Sequence, residues 1–407
     1  MGVNPGSAPP APDGDGPRPD SAPPAGPLPA AVLAFDAGNS KTDAALVAAD
    51  GRVLGTGRAG GFRPPATGID AAVDVLARAA AGAAEAAMLP FGAGPVAEQV
   101  SACLANADLP VEERRLRDAV AARGWGRATE VTNDTFAVLR AGADEPRGVA
   151  VVCGAGINCA GMTPDGRTAR FAALGPLSGD LGGGRWLADE ALWFAARAED
   201  GRGEPTALAP ALPAHFGLTT MAELIEAVHL GRIGTGRLHD LVPVLFAVAA
   251  AGDPVARSVV HRQAEEIVTL ARVALERLGL LGEETPVVLG GGVLAARHPL
   301  LHGAITRLLA ERAPKAVPRV VTAPPVLGAA LLGLDRTGAP AGARARLREH
   351  YGHRTAPGDP FPTPRRCPVT GRNTARTTAN RRAPGRIGTA GRVRRTRPGS
   401  MTARRGR

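Results

Sequence analysis

Residues 32–52 read VLAFDAGNSKTDAALVAADGR, and residues 149–167 read VAVVCGAGINCAGMTPDGR. Each stretch runs from an apolar strand through a turn of small residues into a second strand. Each then ends on Asp-Gly-Arg, which supplies the next hairpin turn. Repetition of one supersecondary unit within a chain predicts two related domains. We therefore expect two domains that face each other across a cleft lined by the two small-residue turns.

The rest of the chain alternates strand-like and helix-like segments, which is typical of an α/β protein. We predict strands at 31–37, 43–49, 149–153, 157–162 and 286–290, and helices at 69–88, 111–123, 185–198, 221–230, 253–278 and 325–334. Residues 1–30 and 336–407 are too poor in apolar side chains to build a core, so we predict both to be disordered. An N-terminal domain at 31–147 and a C-terminal domain at 148–335 remain.

The positive charge of the chain is concentrated in its C-terminal segment. Residues 338–407 hold 18 of the 48 Lys and Arg side chains and 2 of the 38 Asp and Glu side chains. The body is therefore mildly acidic and gives no electrostatic reason to bind nucleic acid. Aromatic side chains do not interleave with the arginines for base stacking. We interpret the segment as a solvated extension, with a nucleic-acid-binding tail as the alternative.

The cysteines and the hydropathy bear on the compartment. Cys103, Cys153, Cys159 and Cys367 form no C-x-x-C pair, and unpaired thiols suit a reducing compartment. No apolar stretch is long enough to span a bilayer, and the N-terminus lacks the pattern of a secretory signal. We therefore expect a cytoplasmic protein without a membrane segment.

The first turn carries candidate phosphate and metal ligands. Small residues let the backbone approach a phosphate, and consecutive N–H groups can cradle its oxygens. Asp36, at the end of a buried strand, is placed to hold Mg²⁺ through water. An ordinary hairpin with an exposed Asp is the alternative. The candidate phosphate-binding residues here are Gly38, Asn39, Ser40, Lys41 and Thr42.

Two further glycine turns suggest that the ligand is a nucleotide. Gly154-Ala155-Gly156 occupies the matching turn of the second copy and would hold the same phosphates from the opposite domain. Gly290-Gly291-Gly292 ends an apolar strand and would let adenosine and its α-phosphate lie against the backbone. Tight turns without a ligand are the alternative, and the pairing of two such turns favours a ligand.

Two acidic residues are candidates for the substrate side. Asp134 stands at a strand-to-helix transition, where it could cap the helix or accept a proton from a hydroxyl attacking the γ-phosphate. Its position between two phosphate-type turns favours the general base. Asp180 lies in a Gly-rich loop before a helix, which indicates a loop shaped around a ligand, with a flexible linker as the alternative.

The motifs DAGNSKT, VTNDTF, GAGIN, LGPLSGDLGGGRWL and VLGGGVL occur in this order over residues 31–335. Together they resemble the BadF/BadG/BcrA/BcrD-type ATPase family, which includes N-acetylglucosamine kinase and glucosamine kinase. The resemblance implies two ribonuclease-H-like domains of the actin-like ATPase fold, with ATP and Mg²⁺ in the cleft and a small sugar as substrate. It also implies that Asp134 is the catalytic base and that Asn158 and Asp180 contact the sugar. We count their motif neighbours Asn133 and Gly175 with the substrate residues.

The chain departs from the family pattern mainly around the substrate. The family's Gly-Gly-Gly-Thr turn is Ala37-Gly38-Asn39-Ser40 here, and the usual sugar-holding Asn after the first hairpin is replaced within residues 60–65. Gly175-Pro176 replaces Trp-Gly, and Asp180-Leu181-Gly182 replaces Asp-Glu-Gly. We therefore expect ATP to be used and leave the identity of the sugar open.

Two other functions compete with a sugar kinase. Some family members are ATPases that activate a partner enzyme and carry an iron–sulfur cluster held by cysteines across a dimer, although no cluster pair is evident here. A non-catalytic sensor of sugar or nucleotide is the third hypothesis, against which the presence of both Asp36 and Asp134 argues. The resemblance also allows a homodimer.

Overall fold

Two five-stranded sheets of the same topology form the core of the structure, a computed structural model that describes residues 28–352. Predictions for residues 1–27 and 353–407 lie outside the described residues. The first sheet contains β1 (Ala30–Ala37), β2 (Thr42–Val47), β3 (Val53–Ala59), β4 (Ala97–Leu104) and β5 (Gly126–Asn133). The second contains β6 (Gly148–Cys153), β7 (Ile157–Met162), β8 (Thr168–Arg170), β9 (Thr285–Gly290) and β10 (Ala316–Val320).

The strand orders confirm the predicted internal repeat. The first sheet has the order β3-β2-β1-β4-β5, and the second has the order β8-β7-β6-β9-β10 when read in the same sense. In each sheet the first three strands are antiparallel neighbours, and the last two run parallel to the first. The two halves of the chain are therefore two copies of one sheet, each opening with the hairpin seen in the sequence.

Thirteen helices surround these sheets in the described residues. They are α1 (Pro64–Thr67), α2 (Ile69–Ala86), α3 (Pro110–Ala121), α4 (Thr135–Gly142), α5 (Gly184–Glu199), α6 (Leu208–His215), α7 (Met221–His229), α8 (Leu241–Ala250), α9 (Pro254–Arg277), α10 (Gly292–Ala295), α11 (Pro299–Arg312), α12 (Pro325–Arg336) and α13 (Ala341–His350). The six predicted helices correspond to α2, α3, α5, α7, α9 and α12. Within residues 28–352 no single helix is long and apolar enough to cross a bilayer, while the sharply bent pair Thr235–Ala250 and Pro254–Arg277 meets the criteria of length and composition.

Strand β1 shows why the chain pairs in this way. All eight of its residues are buried, because α2 and α3 cover one face of the first sheet and α12 covers the other. A strand covered on both faces reads as a continuous apolar run rather than an alternating one. The run ends at Asp36, so the first charged side chain of the strand lies at the carboxyl edge of the sheet.

Two helices exchange between the sheets, and this changes the domain bounds. Helix α4 follows the first sheet in sequence, yet its Phe136 and Leu139 pack against Ala160 of the second sheet. Helix α12 follows the second sheet, yet its Leu327 and Leu331 pack in one cluster with residues of the first. The two domains are therefore not the continuous segments 31–147 and 148–335, because each sheet borrows a helix from the other half.

The two exchanged helices cross between the sheets. A Cβ on Gly328 of α12 would lie 1.8 Å from the backbone oxygen of Ala137 in α4, so only glycine allows this approach. The buried guanidinium of Arg140 in α4 donates to both carboxylate oxygens of Asp335 in α12, at 2.7 and 3.2 Å. This crossing joins the two sheets, because α12 also packs on β1 and α4 also packs on β6 and β7.

Helix α13 corrects the predicted start of the Arg-rich tail at 336. Ala343 and Leu347 are buried in the cluster around α12. Arg346 donates to the backbone oxygen and carboxylate of Asp50, and Arg348 donates to backbone oxygens at the end of α4. The arginines of this segment bind carbonyl and carboxylate groups while their aliphatic stems lie on the protein. The high positive charge led to the prediction of a solvated segment from residue 336 on, but residues Ala341–His350 form a packed helix.

Two truncations should separate α13 from the residues beyond it. Ending the chain after residue 352 should leave the melting temperature and activity unchanged. Ending it after residue 337 should lower the free energy of unfolding by about 3 kcal/mol, because burial of Leu347 is worth roughly 1.5–3 kcal/mol and its neighbouring hydrogen bonds about 1 kcal/mol each. Urea denaturation measures both, and equal stability of the two truncations would show that α13 contributes nothing.

Candidate active site

Two carboxylates lie at the carboxyl edge of the first sheet. Asp36 is the penultimate residue of β1, and Asp134 directly follows β5. Strand β4 lies between them and runs parallel to both, so the ends of all three strands meet at one edge. The side chain of Asp134 makes no capping hydrogen bond to α4. The side-chain cap of α4 that the sequence left open is therefore not formed, and the general-base role of Asp134 stays a prediction.

Burial raises the pKa values of both carboxylates. Burial and then the nearby charge of Asp134 raise the pKa of Asp36 to about 7, with Lys41 acting in the opposite direction. Burial raises the pKa of Asp134 to about 6, partly offset by backbone N–H groups at the start of α4. Like charges held close together raise each other's pKa values, so a cation between the two would favour their ionised forms.

The donor set at Asp36 fits a divalent cation held mostly by water and phosphate. Asp36 is 9% exposed, and its carboxylate forms no hydrogen bond or ion pair with any residue in 28–352. No group of three or more His, Cys, Asp or Glu side chains in this range could hold a metal ion. Mg²⁺ keeps several waters and is commonly bound through one or two carboxylates plus substrate phosphates. The residues present fit such a site.

The first turn presents free backbone N–H groups. Gly38 N–H donates to the Lys41 oxygen at 2.9 Å, which closes the turn. Asn39 and Ser40 are exposed, and their backbone N–H groups make no hydrogen bond within the described chain. The Lys41 ammonium group donates to Asp43 at 2.7 Å, and the Thr42 side chain is fully buried. The turn therefore offers an anion its backbone and the Ser40 hydroxyl rather than the Thr42 hydroxyl.

The loop at residues 60–65 packs on this turn. Phe62 N–H donates to the Gly38 oxygen at 2.9 Å, and Arg63 donates to the Asn39 oxygen at 2.6 Å. The side-chain amide of Asn106, beyond β4, donates to the Asn39 side chain and to the Phe62 oxygen. The segment where the family pattern has a sugar-holding Asn therefore supports the first turn here.

The second turn is held by the start of α5. Gly154 N–H donates to the Gly156 oxygen at 2.9 Å. The N–H groups of Gly184 and Arg185 donate to the oxygens of Gly154 and Ala155, at 2.8 and 3.0 Å. Ala155 and Gly156 are exposed, and their own N–H groups make no hydrogen bond within the described residues. This turn can therefore cradle an anion in the same way as the first.

The triple-glycine turn lies beside the second turn. Strands β9 and β6 are parallel neighbours, with Gly290 opposite Val152. Gly291 has φ +86°, and a Cβ there would lie 2.4 Å from the backbone oxygen of Cys153. A side chain would force the two turns apart, which explains glycine at this position. The second and third turns thus form one continuous glycine-lined surface at the edge of the second sheet.

A side-chain hydrogen bond joins the two halves of the site. The Asn158 amide donates to the side-chain oxygen of Asn133 at 3.1 Å. The same oxygen accepts from Thr135 N–H at 2.9 Å, and the Asn133 amide nitrogen donates to Asp108 at 2.8 Å. Asn133 immediately precedes Asp134, while Asn158 follows the second turn by two residues. This bond therefore brings the candidate base and the second phosphate turn to one cleft.

Asn133 has no free hydrogen-bonding atom for a sugar. It is 3% exposed, and protein groups already occupy both its amide nitrogen and its oxygen. The predicted substrate contact of Asn133 therefore gives way to a positioning role beside Asp134. Asn158 retains part of its hydrogen-bonding capacity, since its oxygen accepts one bond from Cys159 N–H.

Asp108 and Arg170 lie at the same edge of the cleft, although no sequence motif indicated them. Burial and the charge of Asp134 raise the pKa of Asp108 to about 7. Arg170 of β8 crosses to the first half, pairing with Glu113 at 2.6 Å and donating to the backbone oxygen of Ala107 at 3.0 Å. The signal was present in the apolar run of β4, which ends just before Asn106-Ala107-Asp108. Predicting that strand would have placed Asp108 at the same edge as Asp36.

Asp180 lies in the loop that leads into α5. Its carboxylate accepts a hydrogen bond from Ser178, and its N–H donates to the Gly175 oxygen at 3.0 Å. Gly175 has φ +65° at the start of a short 3₁₀ turn, a conformation that glycine adopts without strain. Asp180 is 8% exposed, although Leu177 in the same loop is 86% exposed. The loop then contacts the second turn through Gly183 and Gly184.

The described cysteines are unsuited to an exposed metal cluster. Cys103, Cys153 and Cys159 are free and buried. Burial raises the pKa of the Cys103 and Cys153 thiols to about 12, and it also raises the pKa of Cys159. Iron–sulfur clusters are bound by thiolates. Within residues 28–352 no group of three or more His, Cys, Asp or Glu side chains could hold a metal ion, which weighs against the partner-activating ATPase as an interpretation of this site.

Sequence comparison finds two sugar kinases among the relatives. An N-acetylmuramic acid/N-acetylglucosamine kinase of Clostridium acetobutylicum is 24% identical over 209 residues, or 50% of this chain and 68% of that protein. An N-acetyl-D-glucosamine kinase of Dictyostelium discoideum is 29% identical over 208 residues, or 50% of this chain and 65% of that protein. The matched region thus spans about two thirds of each relative and half of this chain.

Solved structures share the two-domain architecture. A proposed N-acetylglucosamine kinase from Chromobacterium violaceum superimposes with a TM-score of 0.57 at 23% identity, covering 74% of this chain and 98% of that one. A second, from Porphyromonas gingivalis, has a TM-score of 0.53 at 20% identity over 75% and 99% of the two chains. The fold is therefore the two-domain, actin-like one that the sequence predicted. The chain belongs to the BadF/BadG/BcrA/BcrD ATPase family, whose model matches residues 35–333.

Proposed function

We propose that this protein is an ATP-dependent kinase that phosphorylates a hydroxyl group of an amino sugar, N-acetylglucosamine or glucosamine. The observation that carries the proposal is the hydrogen bond of 3.1 Å between Asn158 and Asn133. The bond supports the proposal because Asn133 directly precedes the half-buried carboxylate of Asp134, and Asn158 follows the turn with free N–H groups by two residues. Kinship with two amino-sugar kinases supports the choice of substrate.

Asp134 acts as the general base in this proposal. Its carboxylate lies at the edge of the cleft without a capping bond, and burial raises its pKa to about 6. A base with a pKa slightly below neutral is ionised at working pH and still accepts a proton readily. It would orient the attacking hydroxyl and take its proton as the bond to phosphorus forms.

The two turns hold and orient the triphosphate. Free N–H groups of Asn39 and Ser40 face the phosphates from one side, and those of Ala155 and Gly156 face them from the other. Mg²⁺, held through water by Asp36, would neutralise charge on the β- and γ-phosphates. Phosphoryl transfer depends almost entirely on such positioning and charge stabilisation. The adenosine would lie along Gly290, Gly291 and Gly292 beside the second turn.

Water must be kept from the γ-phosphate, and the contacts between the halves serve this end. Arg170 and Asn158 each cross from the second half to the first. Closure around substrate excludes water that would otherwise be phosphorylated in place of the sugar.

A cytoplasmic location forms part of the proposal. The described cysteines are free and buried, and such thiols suit the reducing cytoplasm.

A coupled ADP-release screen tests the function. The panel is N-acetylglucosamine, glucosamine, N-acetylmannosamine and glucose, each with ATP and Mg²⁺. The proposal expects release that depends on an amino sugar and exceeds the sugar-free rate by at least about tenfold, since water is a poor substitute in a closed site. Equal ADP release with and without every sugar would favour an ATPase, and no release would favour a sensor.

The pH profile of kcat/KM should report the ionisation of Asp134. A base acts only when ionised, so activity should be full above its pKa and fall as pH drops through about 6, by about tenfold per pH unit below it. Initial rates with the best sugar of the screen, at saturating ATP and Mg²⁺, measure this limb. A rate that stays flat from neutral pH down to about pH 4.5 would contradict a base with a raised pKa.

A further inference from the structure

Gln263 is a fully buried polar side chain that no motif accounts for. It lies on α9, and its side chain is 0% exposed among apolar neighbours such as Val260 and Ile267. Its side-chain oxygen accepts a hydrogen bond from Gly183 N–H at 2.9 Å. Its amide nitrogen is buried and has no partner within the described residues. Burying an amide group costs free energy unless it is hydrogen-bonded. The hydrogen bond to Gly183 therefore offsets part of the cost of burying Gln263.

Gly183 lies directly against the second phosphate turn. It has φ +91°, and a Cβ there would lie 2.5 Å from backbone atoms of Gly156. The next residue, Gly184, donates its N–H to the Gly154 oxygen at 2.8 Å. The hydrogen bond from Gly183 N–H to Gln263 therefore fixes the position at which the backbone of Gly183 packs against the backbone of Gly156. A shift of this loop would move the turn whose N–H groups face the phosphates.

Glu266 lies beside the same loop, three residues further along α9. Burial raises the pKa of its carboxyl, the nearby N–H of Leu181 lowers it, and the nearby charge of Asp180 raises it. Between Leu181 and Gly183, Gly182 is pressed onto the helix, since a Cβ there would lie 2.6 Å from the Gln263 amide nitrogen. Residues three apart on a helix share one face. One face of α9 therefore supports the loop on both sides of Gly182.

We propose that Gln263 and Glu266 are positioning residues that hold the loop around Asp180 against the second phosphate turn. Gln263 acts through Gly183 on the phosphate side, and Glu266 acts through Leu181 on the side of Asp180. Helix α9 would then fix the distance between the sugar site and the triphosphate. This inference rests on the proposed kinase function and adds residues outside every glycine motif of the family pattern.

Three substitutions separate the two roles. Gln263→Met keeps the length of the side chain and removes the acceptor for Gly183 N–H. Glu266→Met removes the carboxylate beside Leu181 N–H, and Glu266→Gln keeps a side-chain oxygen there. Ser258→Ala is the control, because Ser258 lies on α9 and bonds only within the helix, to Val255. For each protein, kcat and both KM values are measured, together with the Kd for Mg²⁺–AMPPNP and the melting temperature.

The expected results differ between the sites. Gln263→Met should weaken Mg²⁺–AMPPNP binding about tenfold, roughly the value of one buried hydrogen bond, with a smaller change in the KM for sugar. Glu266→Met should raise the KM for sugar about tenfold with a smaller change in nucleotide affinity. Glu266→Gln should stay within about twofold of the wild type, and Ser258→Ala should match it. If the two side chains only stabilised the fold, both Met variants would lower the melting temperature, and they would not differ in whether nucleotide affinity or the KM for sugar changes more.

Two outcomes distinguish a failure of the positioning role from a failure of the proposed kinase function. If the wild type binds Mg²⁺–AMPPNP and phosphorylates sugar while both Met variants keep its constants, the positioning role is wrong and the kinase stands. If the wild type neither binds the analogue nor turns over, the kinase itself is wrong and the inference falls with it. Should Gln263→Met fail to fold, the Glu266→Met and Glu266→Gln pair decides, because equal KM values for sugar in the two would overturn the proposal.

Discussion

Asp134→Asn should lower kcat at least about 100-fold, because general-base catalysis by a positioned side chain contributes roughly 10²–10⁴-fold. Asparagine has nearly the same shape and can still accept a hydrogen bond from the attacking hydroxyl, but it cannot take the proton. Binding should survive, since the nucleotide is held by the backbone of the glycine turns. ADP release at saturating substrates measures kcat, and titration with Mg²⁺–AMPPNP measures binding.

A matched control carries the same change on the surface. Asp118 lies on α3 with its side chain 75% exposed, so Asp118→Asn removes a carboxylate without touching the cleft. Its kcat should equal that of the wild type. Turnover of Asp134→Asn within a few fold of this control would remove Asp134 from the mechanism and return it to the role of a helix-start residue.

Asp335→Ala should cost about 3 kcal/mol of stability or more, because it leaves a buried charge without its partner. The side chain of Arg140 is 0% exposed, and Asp335 supplies its two carboxylate contacts. Backbone oxygens of Ala143 and Asp144 also accept from Arg140, but they carry no compensating negative charge. Urea denaturation followed by circular dichroism measures the loss.

A double substitution tests the reason for that loss. Replacing a buried ion pair by apolar side chains is often neutral, whereas removing one partner is costly. Arg140→Met with Asp335→Leu should therefore recover most of the stability lost in Asp335→Ala. A single variant that loses less than about 1 kcal/mol would show that the crossing of α4 and α12 does not depend on this pair.

The sequence predicted the repeated hairpins and the elements built from apolar runs. β1, β2, β6, β7 and β9 fall close to the predicted positions, because continuous apolar residues mark strands buried on both faces. The turns after β1 and β6 lie where the repeat placed them, and the triple-glycine turn follows β9. A phosphate site could be proposed from the sequence because small residues and an Asp at a strand end are local properties of the chain.

What the sequence missed depends on contacts between distant segments. Strand β5 reads GRATEVTN and contains few apolar residues, so its place in the sheet comes from pairing with β4. The exchange of α4 and α12 cannot be read locally, since each helix has apolar residues suited to either sheet. Helix α13 was misread because arginines that bind carbonyl groups have the same composition as arginines in water.

In the candidate site, too, the sequence indicates residues that depend on local patterns and does not indicate those that depend on contacts between distant segments. Asp36 and Asp134 could be proposed from their places at strand ends, while Asp108 was not proposed because the strand that precedes it was not predicted. Asn133 was expected at the sugar, and its four hydrogen-bonding positions turn out to be used by Asp108, Ala107, Thr135 and Asn158. Satisfaction of a polar group is a tertiary property. A sequence can therefore name the motif that holds a functional residue more easily than it can say which neighbour touches the ligand.

Transfer of phosphate from ATP to sugar tests the central claim most directly. The protein is incubated with Mg²⁺, γ-labelled ATP and N-acetylglucosamine or glucosamine, and the label is followed by chromatography of the products. The account predicts label in a sugar phosphate in amounts equal to the ADP formed, at a rate at least about 100-fold lower with Asp134→Asn. Label found only in inorganic phosphate, at a rate that sugar does not change, would contradict it.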